Sequence, residues 1–128
     1  MRPDCSLLLV DDDDEFLEIV NRRFTRRGAK TVAVDNPQAA IEAAQTARFH
    51  VAIVDRTLPG QDGVQLMETL KAQQPEIRVI ILSGHGDEQS IAEAQRAGVF
   101  EYLVKPCSLA DLEMAVARAC EAGVQAPV

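Results

Sequence analysis

Short apolar runs alternate with longer amphipathic segments five times along this chain of 128 residues. The runs are almost continuously apolar, as in strands that are covered on both faces of a parallel sheet. The segments between them carry apolar residues at helical spacing, for example Phe16, Val20 and Phe24 in the first. Strands and helices that alternate through a whole domain imply right-handed crossovers. The pattern therefore predicts an α/β fold, with a doubly wound parallel sheet of five strands and five flanking helices.

The limits of these elements follow from where the apolar runs stop and where capping or breaking residues occur. Strands are predicted at 7–10, 30–34, 51–54, 79–82 and 102–104. Helices are predicted at 14–27, from 37 to near 48, at 64–74, at 88–97 and from 108 onward. Asp35 is expected to cap the second helix. One domain is predicted over 1–122, with 123–128 as a frayed tail or the start of a truncated linker.

Composition restricts the partners and the location of such a chain. Its 20 acidic residues exceed its 13 lysines and arginines, and the net charge of −7 repels phosphate backbones and anionic headgroups. We therefore expect no direct nucleic-acid or membrane partner. The aliphatic run at 7–10 is too short for a secretory or membrane-spanning segment, which predicts a cytoplasmic protein. Cys5, Cys107 and Cys120 are odd in number and lack C-x-x-C spacing, so they are expected to be reduced.

Acidic residues follow two of the predicted strands, where the working groups of a doubly wound sheet gather. Five acids at 11–15 follow the first strand, and capping of the next helix needs only Asp13 or Asp14. Asp11 and Asp12 are then left at the sheet edge, while Asp55 ends the buried third strand. If these strands are neighbours, three carboxylates converge, and either a proton or a cation must compensate them. A hard divalent ion such as Mg²⁺ suits carboxylate ligands.

The fourth and fifth strands end in Ser83 and Lys105. Taken singly, Ser83 is typical of a turn, and Lys105 is typical of a surface charge or an ion pair with a nearby acid. Taken together, four of the five strand ends present an acid pair, an acid, a hydroxyl and an ammonium group. Packing alone has a low chance of producing this combination, so the sequence predicts a functional site at this edge of the sheet.

Motifs along nearly the whole chain resemble the response-regulator receiver domain of two-component signalling. They are Leu7-Leu-Leu-Val-Asp-Asp12, Val54-Asp55, Leu58-Pro-Gly60, Asp62-Gly63, Ile80-Ile-Leu-Ser83-Gly84, Ala97-Gly98 and Tyr102-Leu-Val-Lys105-Pro106. The resemblance implies a flavodoxin-like sheet of order 2-1-3-4-5. It also implies the following roles: Asp55 as phosphoacceptor; Asp11, Asp12, Asp55 and the backbone carbonyl of Thr57 as Mg²⁺ ligands; Ser83 and Lys105 as phosphoryl-binding groups; Tyr102 as the aromatic that changes rotamer; and a cis peptide before Pro106.

The same resemblance implies a signalling switch rather than an enzyme that acts on other molecules. A phosphohistidine of a sensor histidine kinase or of a histidine phosphotransfer protein would supply the phosphoryl group. The fourth helix, fifth strand and fifth helix would then control a downstream protein or a covalently linked output domain lost by truncation, with a phosphorylation-dependent homodimer as a further option. Thr57 and His85 lie where side chains admit or block the hydrolytic water, and so would tune the phosphoryl lifetime.

Two other functions fit part of the pattern. A Mg²⁺-dependent phosphohydrolase of the haloacid-dehalogenase type also uses an aspartyl nucleophile at a strand end. That class has a second acid two residues later, where this chain has Thr57, and it usually needs a cap domain. A phosphorylation-independent pseudo-receiver is the other alternative, and the complete acid, hydroxyl and lysine set argues against it. Whether the chain is a stand-alone regulator or a receiver excised from a larger one stays open.

Overall fold

The computed structural model describes residues 5–124. Its strands are β1 Ser6–Val10, β2 Lys30–Val34, β3 Val51–Asp55, β4 Thr57–Leu58, β5 Gln61–Asp62, β6 Arg78–Ser83 and β7 Glu101–Val104. Its helices are α1 Asp14–Arg26, α2 Pro37–Thr46, α3 Gly63–Gln73, α4 Glu88–Arg96 and α5 Leu109–Val124. The five predicted strands and five predicted helices are all present, each within a few residues of its predicted limits.

Five strands form one parallel sheet in the order β2-β1-β3-β6-β7. Counted over the strands of this sheet, the order is 2-1-3-4-5, so the predicted fold class is confirmed. The chain leaves β1 for one edge of the sheet and β3 for the other, which places the switch point between these two central strands. The carboxyl ends of β1 and β3 therefore lie side by side, with Val10 opposite Val54 in the register.

The apolar core has two halves, one on each face of the sheet. Leu7 and Leu9 of β1 point to the face covered by α1 and α5, whereas Leu8 and Val10 point to the face covered by α2 and α3. This alternation follows from the two-residue period of a strand. The central strands β1 and β3 are buried almost throughout, and the edge strands β2 and β7 are less so. Burial on both faces explains why the central runs are continuously apolar.

The helix termini refine the predicted limits. Asp13 is the residue that caps α1, and it accepts a hydrogen bond from the amide of Phe16 at 3.1 Å. The expectation for Asp35 is wrong, because Asn36 caps α2 and accepts from the amide of Ala39 at 2.9 Å. Asp35 accepts instead from the side-chain amide of Asn36. Helix α5 continues to Val124, past the predicted domain limit, and the rest of the predicted tail, 125–128, lies outside the described residues.

The prediction that all three cysteines are reduced is wrong in this structure. Cys5 and Cys120 form a disulfide across a Cα separation of 6.2 Å, and Cys107 is free. Both bonded cysteines are buried in the core half shared by β1, α1 and α5. Sequence spacing gave no hint, because the two residues are 115 positions apart and meet only when α5 packs against the sheet beside the start of β1. The bond joins the two ends of the described domain.

The helices differ strongly in how much they bury. Helix α5 buries Leu112, Ala115, Val116, Ala119 and Cys120, while Ala94 alone is buried among the described residues of α4. Ile91 of α4 and Ala97, which directly follows the helix, are partly buried. No helix in the described part of the chain, 5–124, is long and apolar enough to cross a bilayer.

Candidate functional site

Three carboxylates meet at the carboxyl edge of the sheet, as the strand-end acids predicted. Asp11 and Asp12 follow β1, and Asp55 ends the neighbouring strand β3. One carboxylate oxygen of each lies within 4.8 Å of the others. Asp11 and Asp55 are buried, with 3% and 7% of their surface exposed, whereas Asp12 is open to solvent. Two acids therefore form the floor of the site and one stands at its rim.

Asp11 lies in an environment that disfavours its negative charge. Its carboxylate accepts a hydrogen bond from the amide of Asp13 at 2.9 Å, which also holds the start of the loop into α1. Burial and, after it, repulsion by Asp55 raise the pKa of Asp11 to about 6, against the opposing effects of that amide and of Lys105. The raised pKa shows that Lys105 and the Asp13 amide offset only part of the cost of the negative charge on Asp11. Oxygen donors on two loops with one acid at the rim fit a hard divalent cation.

Lys105 brings the one ammonium group that faces these acids within the described site. Its Nζ lies 3.2 Å from Asp55 Oδ2 and 3.5 Å from Asp11 Oδ2. The same Nζ lies 5.3 Å from the ring centroid of Phe16, in the first turn of α1. Burial lowers the pKa of Lys105, but the two ion pairs outweigh it and the net change is upward from 10.5. The peptide bond that follows, Lys105–Pro106, is cis.

The end of β3 is held by a short hairpin that the sequence analysis did not predict. Strands β4 and β5 pair antiparallel directly after Asp55, around Pro59 and Gly60. The amide of Thr57 donates to Asp55 Oδ1 at 3.2 Å, and the amide of Gly63 donates to the carbonyl of Arg56 at 2.7 Å. A methyl group at position 63 would overlap the backbone carbonyl oxygen of Asp55. Glycine there is what allows α3 to begin against the end of β3.

Ser83 and Tyr102 are connected through the backbone of the β6–α4 loop. The amide of His85 donates to Ser83 Oγ at 3.0 Å, and the Tyr102 hydroxyl donates to the carbonyl of His85 at 2.6 Å. Ser83 is buried, while the His85 side chain is exposed. The predicted hydroxyl and aromatic residue are thus linked to each other rather than to the acids. Thr57, also predicted to tune the site, is exposed at the start of β4.

Arg56 is a residue of this region that the sequence analysis missed. Its side chain is 11% exposed and lies between the hairpin, α4 and β7. It forms ion pairs with Asp62 at 3.6 Å and Glu93 at 3.5 Å, and it donates to the backbone carbonyl of Ser90 at 2.7 Å. The one available sequence feature was an arginine next to a strand-end acid. Its partners lie up to 46 positions away, so spacing could not identify them.

Comparison with known proteins agrees with this geometry. A model of the response regulator receiver domain matches residues 7–117 of the chain. The chain belongs to this family. The photosynthetic apparatus regulatory protein RegA of Rhodobacter capsulatus is 33% identical to this receiver domain over 113 residues, which cover 88% of the chain and 61% of RegA. The receiver domain spans less than two thirds of the curated relatives it matches, from 24% to 62% of their length.

Solved structures show the same architecture. A CheY-like receiver domain protein of Methanospirillum hungatei superposes with a TM-score of 0.90 at 20% identity, covering 95% of this receiver domain and 98% of that chain. At that identity the likeness shows the fold alone. A response regulator of Burkholderia pseudomallei, described with a phosphorylated aspartic acid, a calcium ion and citrate, has a TM-score of 0.81 at 26% identity. That match covers 98% of this receiver domain and 76% of that chain.

Proposed function

We propose that this receiver domain is a phosphoacceptor switch in which Asp55 takes a phosphoryl group from a phosphohistidine. The observation that carries the proposal is the environment of Asp55. Its carboxylate is buried at a strand end, lies beside Asp11 and Asp12, and has the Lys105 ammonium 3.2 Å away. The Thr57 amide fixes the orientation of this carboxylate by donating a hydrogen bond to Oδ1, and Oδ2 then faces the Lys105 ammonium.

The transfer needs positioning and charge compensation more than proton chemistry. An Asp55 oxygen attacks phosphorus in line, a P–O bond forms, and the P–N bond to the donor imidazole breaks. Lys105 is placed to receive one phosphoryl oxygen, since it already contacts Asp55 Oδ2. Ser83 reaches a second by rotating its hydroxyl away from the His85 amide. The carboxylate is the nucleophile itself, so no general base is required.

The three acids also form the metal site of this proposal. We assign Asp11, Asp12 and Asp55 as ligands of Mg²⁺, because one carboxylate oxygen of each lies within 4.8 Å of the others. The backbone carbonyl of Thr57 is added as a ligand on the family resemblance alone. When bound, the ion neutralises negative charge on the phosphoryl oxygens and on the clustered acids. Asp11 holds its loop by accepting from the Asp13 amide, and this contact orients its second oxygen toward Lys105 and the site.

Phosphorylation would be read at the surface formed by α4, β7 and α5. The phosphoryl group carries about −1.5 to −2 charge, which replaces the single negative charge of the Asp55 carboxylate beside Lys105 and draws Ser83 toward Asp55. That movement breaks the Ser83–His85 contact and frees the loop that holds the Tyr102 hydroxyl. Tyr102 then changes rotamer and α4 shifts. The new surface controls a downstream protein, a linked output domain or a second copy of the chain.

Partners and location follow from the proposed chemistry. The donor is a sensor histidine kinase or a histidine phosphotransfer protein, and the place of work is the cytoplasm. Glutathione and thioredoxin keep most cytosolic thiols reduced, so we expect Cys5 and Cys120 to be present there as a buried dithiol. The solved relative with a phosphorylated aspartic acid supports the assignment of an aspartyl phosphate to this receiver domain.

Intact-mass measurement after incubation with acetyl phosphate and Mg²⁺ tests the proposal. Wild type is expected to gain the mass of one phosphoryl group, and Asp55→Asn to gain none. Asp35→Asn is the matched control, because Asp35 also follows a strand of the sheet but contacts Asn36 rather than the three acids. Equal phosphorylation of wild type and Asp55→Asn would contradict the assignment.

A further inference from the structure

Arg56 connects three elements around the proposed phosphorylation site, yet the phosphoryl transfer itself has no need of its charge. We propose that Arg56 is a positioning residue of the switch, which holds α4 and Tyr102 in the arrangement of this structure and so opposes activation. This inference rests on the proposed function. We call the arrangement, in which Ser83 bonds to the His85 amide and Tyr102 to the His85 carbonyl, the resting arrangement.

The contacts of Arg56 match a guanidinium fork rather than a single charge. Nη1 donates to the Ser90 carbonyl at 2.7 Å and lies 3.4 Å from the Tyr102 hydroxyl. Nη2 contacts Glu93 at 3.5 Å, and Nε faces Asp62 at 3.6 Å. A fork reaches these four partners in fixed directions, which one ammonium group cannot do. The side chain is therefore a bridge from the hairpin to both α4 and β7.

These polar contacts matter because α4 has little apolar attachment. Ala94 alone is buried among the described residues of the helix, and the loss of one methyl-sized contact is a small cost. Arg56 instead contacts two positions, Ser90 and Glu93, that lie three residues apart and so share one face of α4. Polar contacts to one face fix both the distance and the rotation of a helix. We infer that Arg56 sets the resting position of α4.

The base of this bridge is fixed to the phosphoacceptor strand. The Arg56 amide donates to the carbonyl of Leu82 at 2.8 Å, and its carbonyl accepts from Gly63 at 2.7 Å. The backbone next to Asp55 is thus held on both sides and does not move freely. The Tyr102 hydroxyl lies 3.4 Å from Arg56 Nη1 and donates a hydrogen bond to the backbone carbonyl of His85. When Ser83 turns toward a phosphoryl group, it gives up its contact with the His85 amide and so loosens the loop that holds the Tyr102 hydroxyl. The contact between Arg56 and the Tyr102 hydroxyl is not affected by this movement and still opposes the rotamer change of Tyr102.

The prediction concerns an equilibrium between two arrangements. A substitution that weakens the resting arrangement raises the apparent affinity for any ligand that favours the active one. Beryllofluoride with Mg²⁺ is such a ligand, because it mimics the phosphoryl group on Asp55. Arg56→Gln is expected to strengthen beryllofluoride binding by about fivefold or more, the lower range of conformational coupling between two sites. Amide exchange across α4 in the unliganded protein is expected to rise by a similar factor.

Tyr102 supplies an independent readout, because it is the single tyrosine of a chain without tryptophan. Its emission should change in Arg56→Gln without any ligand, and wild type should show a change of the same sign when beryllofluoride binds. Arg78→Gln is the matched control. It removes an equal charge from a partly buried arginine that also bonds to a backbone carbonyl, that of Glu76 at 2.9 Å. This control is expected to match wild type in all three measurements.

The outcomes separate this inference from the function on which it rests. If wild type and Arg78→Gln respond to beryllofluoride but Arg56→Gln binds it within twofold of wild type, or more weakly, Arg56 does not oppose activation. If wild type itself shows no response, the proposed function fails and the inference fails with it. Arg56→Lys keeps the charge but not the fork, so it is expected to strengthen beryllofluoride binding too, by less than Arg56→Gln. Wild-type affinity in Arg56→Lys would show that charge alone, and not the directed contacts of the fork, opposes activation.

Discussion

Helices α4 and α5 lie on opposite faces of the β6–β7 edge and are attached in opposite ways. Helix α5 buries a stripe of five residues in the core beneath α1 and is bonded to the start of β1 through Cys5 and Cys120. Helix α4 buries Ala94 among its described residues and is held by the polar contacts of Arg56. A helix held by apolar packing cannot shift without losing contact area, whereas a helix held by polar contacts can shift if those contacts exchange partners. The difference indicates which helix a charge at Asp55 can move.

The stability of the two helices should differ first in their apolar residues. Leu112→Ala in α5 removes a fully buried side chain, and we expect the free energy of unfolding to fall by about 2–5 kcal/mol. Ile91→Ala in α4 removes a side chain that is only partly buried and should cost less than about 1.5 kcal/mol. Urea denaturation of both variants measures the difference. Equal losses would break the comparison, because α4 would then be a packed helix like α5.

The disulfide should contribute to the attachment of α5 and not to that of α4. Opening the link between Cys5 and Cys120, by reductant or by Cys120→Ala, is expected to lower the free energy of unfolding by about 2–5 kcal/mol. Cys107→Ala is the control, since that cysteine is free. Denaturation with and without reductant reads the effect. A wild type that loses no stability on reduction would show that α5 is held by packing alone.

Asp11 directly follows the buried central strand β1, so its titration tests a part of the site that is not expected to move with α4. Since burial raises the pKa of Asp11 to about 6, a proton competes with Mg²⁺ there below that pH. Binding then releases the proton, so the Mg²⁺ affinity should fall by about tenfold from about pH 7 to about pH 5 and be nearly constant above pH 7. Calorimetric titration across this range measures it.

Asp11→Asn serves as the control for that titration. The variant should bind Mg²⁺ more weakly at every pH and should lose the change centred near pH 6. A wild type with constant affinity down to pH 5 would mean that Asp11 is already ionised there. The raised pKa of Asp11 would then be contradicted.

How far the sequence specified this molecule depends on the range of the interactions. The continuous apolar character of 51–54 and the acids after β1 and β3 are local features, and they predicted the sheet and the meeting of Asp11, Asp12 and Asp55. Asp35 and Asn36 are both suitable caps for α2, and they differ by one residue in where the helix begins. The spacing of apolar residues does not fix a helix end to within one residue. Cap identity is therefore a detail that local pattern leaves open.

Contacts between residues far apart in the chain could not be predicted from the sequence. Cys5 meets Cys120 because α5 packs along the sheet to the start of β1. The two cysteines are 115 positions apart, and no sequence motif relates residues at that separation. In the sequence, Arg56 is simply an arginine next to a strand-end acid, and its partners come from α4, β7 and the β4–β5 hairpin. In both cases the side chain acquires its role from an element that the chain reaches much later. Residues of this kind need the folded structure to be found.

Amide hydrogen exchange with and without beryllofluoride and Mg²⁺ tests the central claim most directly. Protection is expected to change across Glu88–Arg96 and around Tyr102, whereas the packed stripe of α5 from Leu112 to Cys120 is expected to keep its protection. Ser83→Ala should reduce this change, because the variant lacks the hydroxyl that leaves His85 for the phosphoryl group. Changes confined to the loops that touch Asp55, or an undiminished response of α4 in Ser83→Ala, would contradict the account.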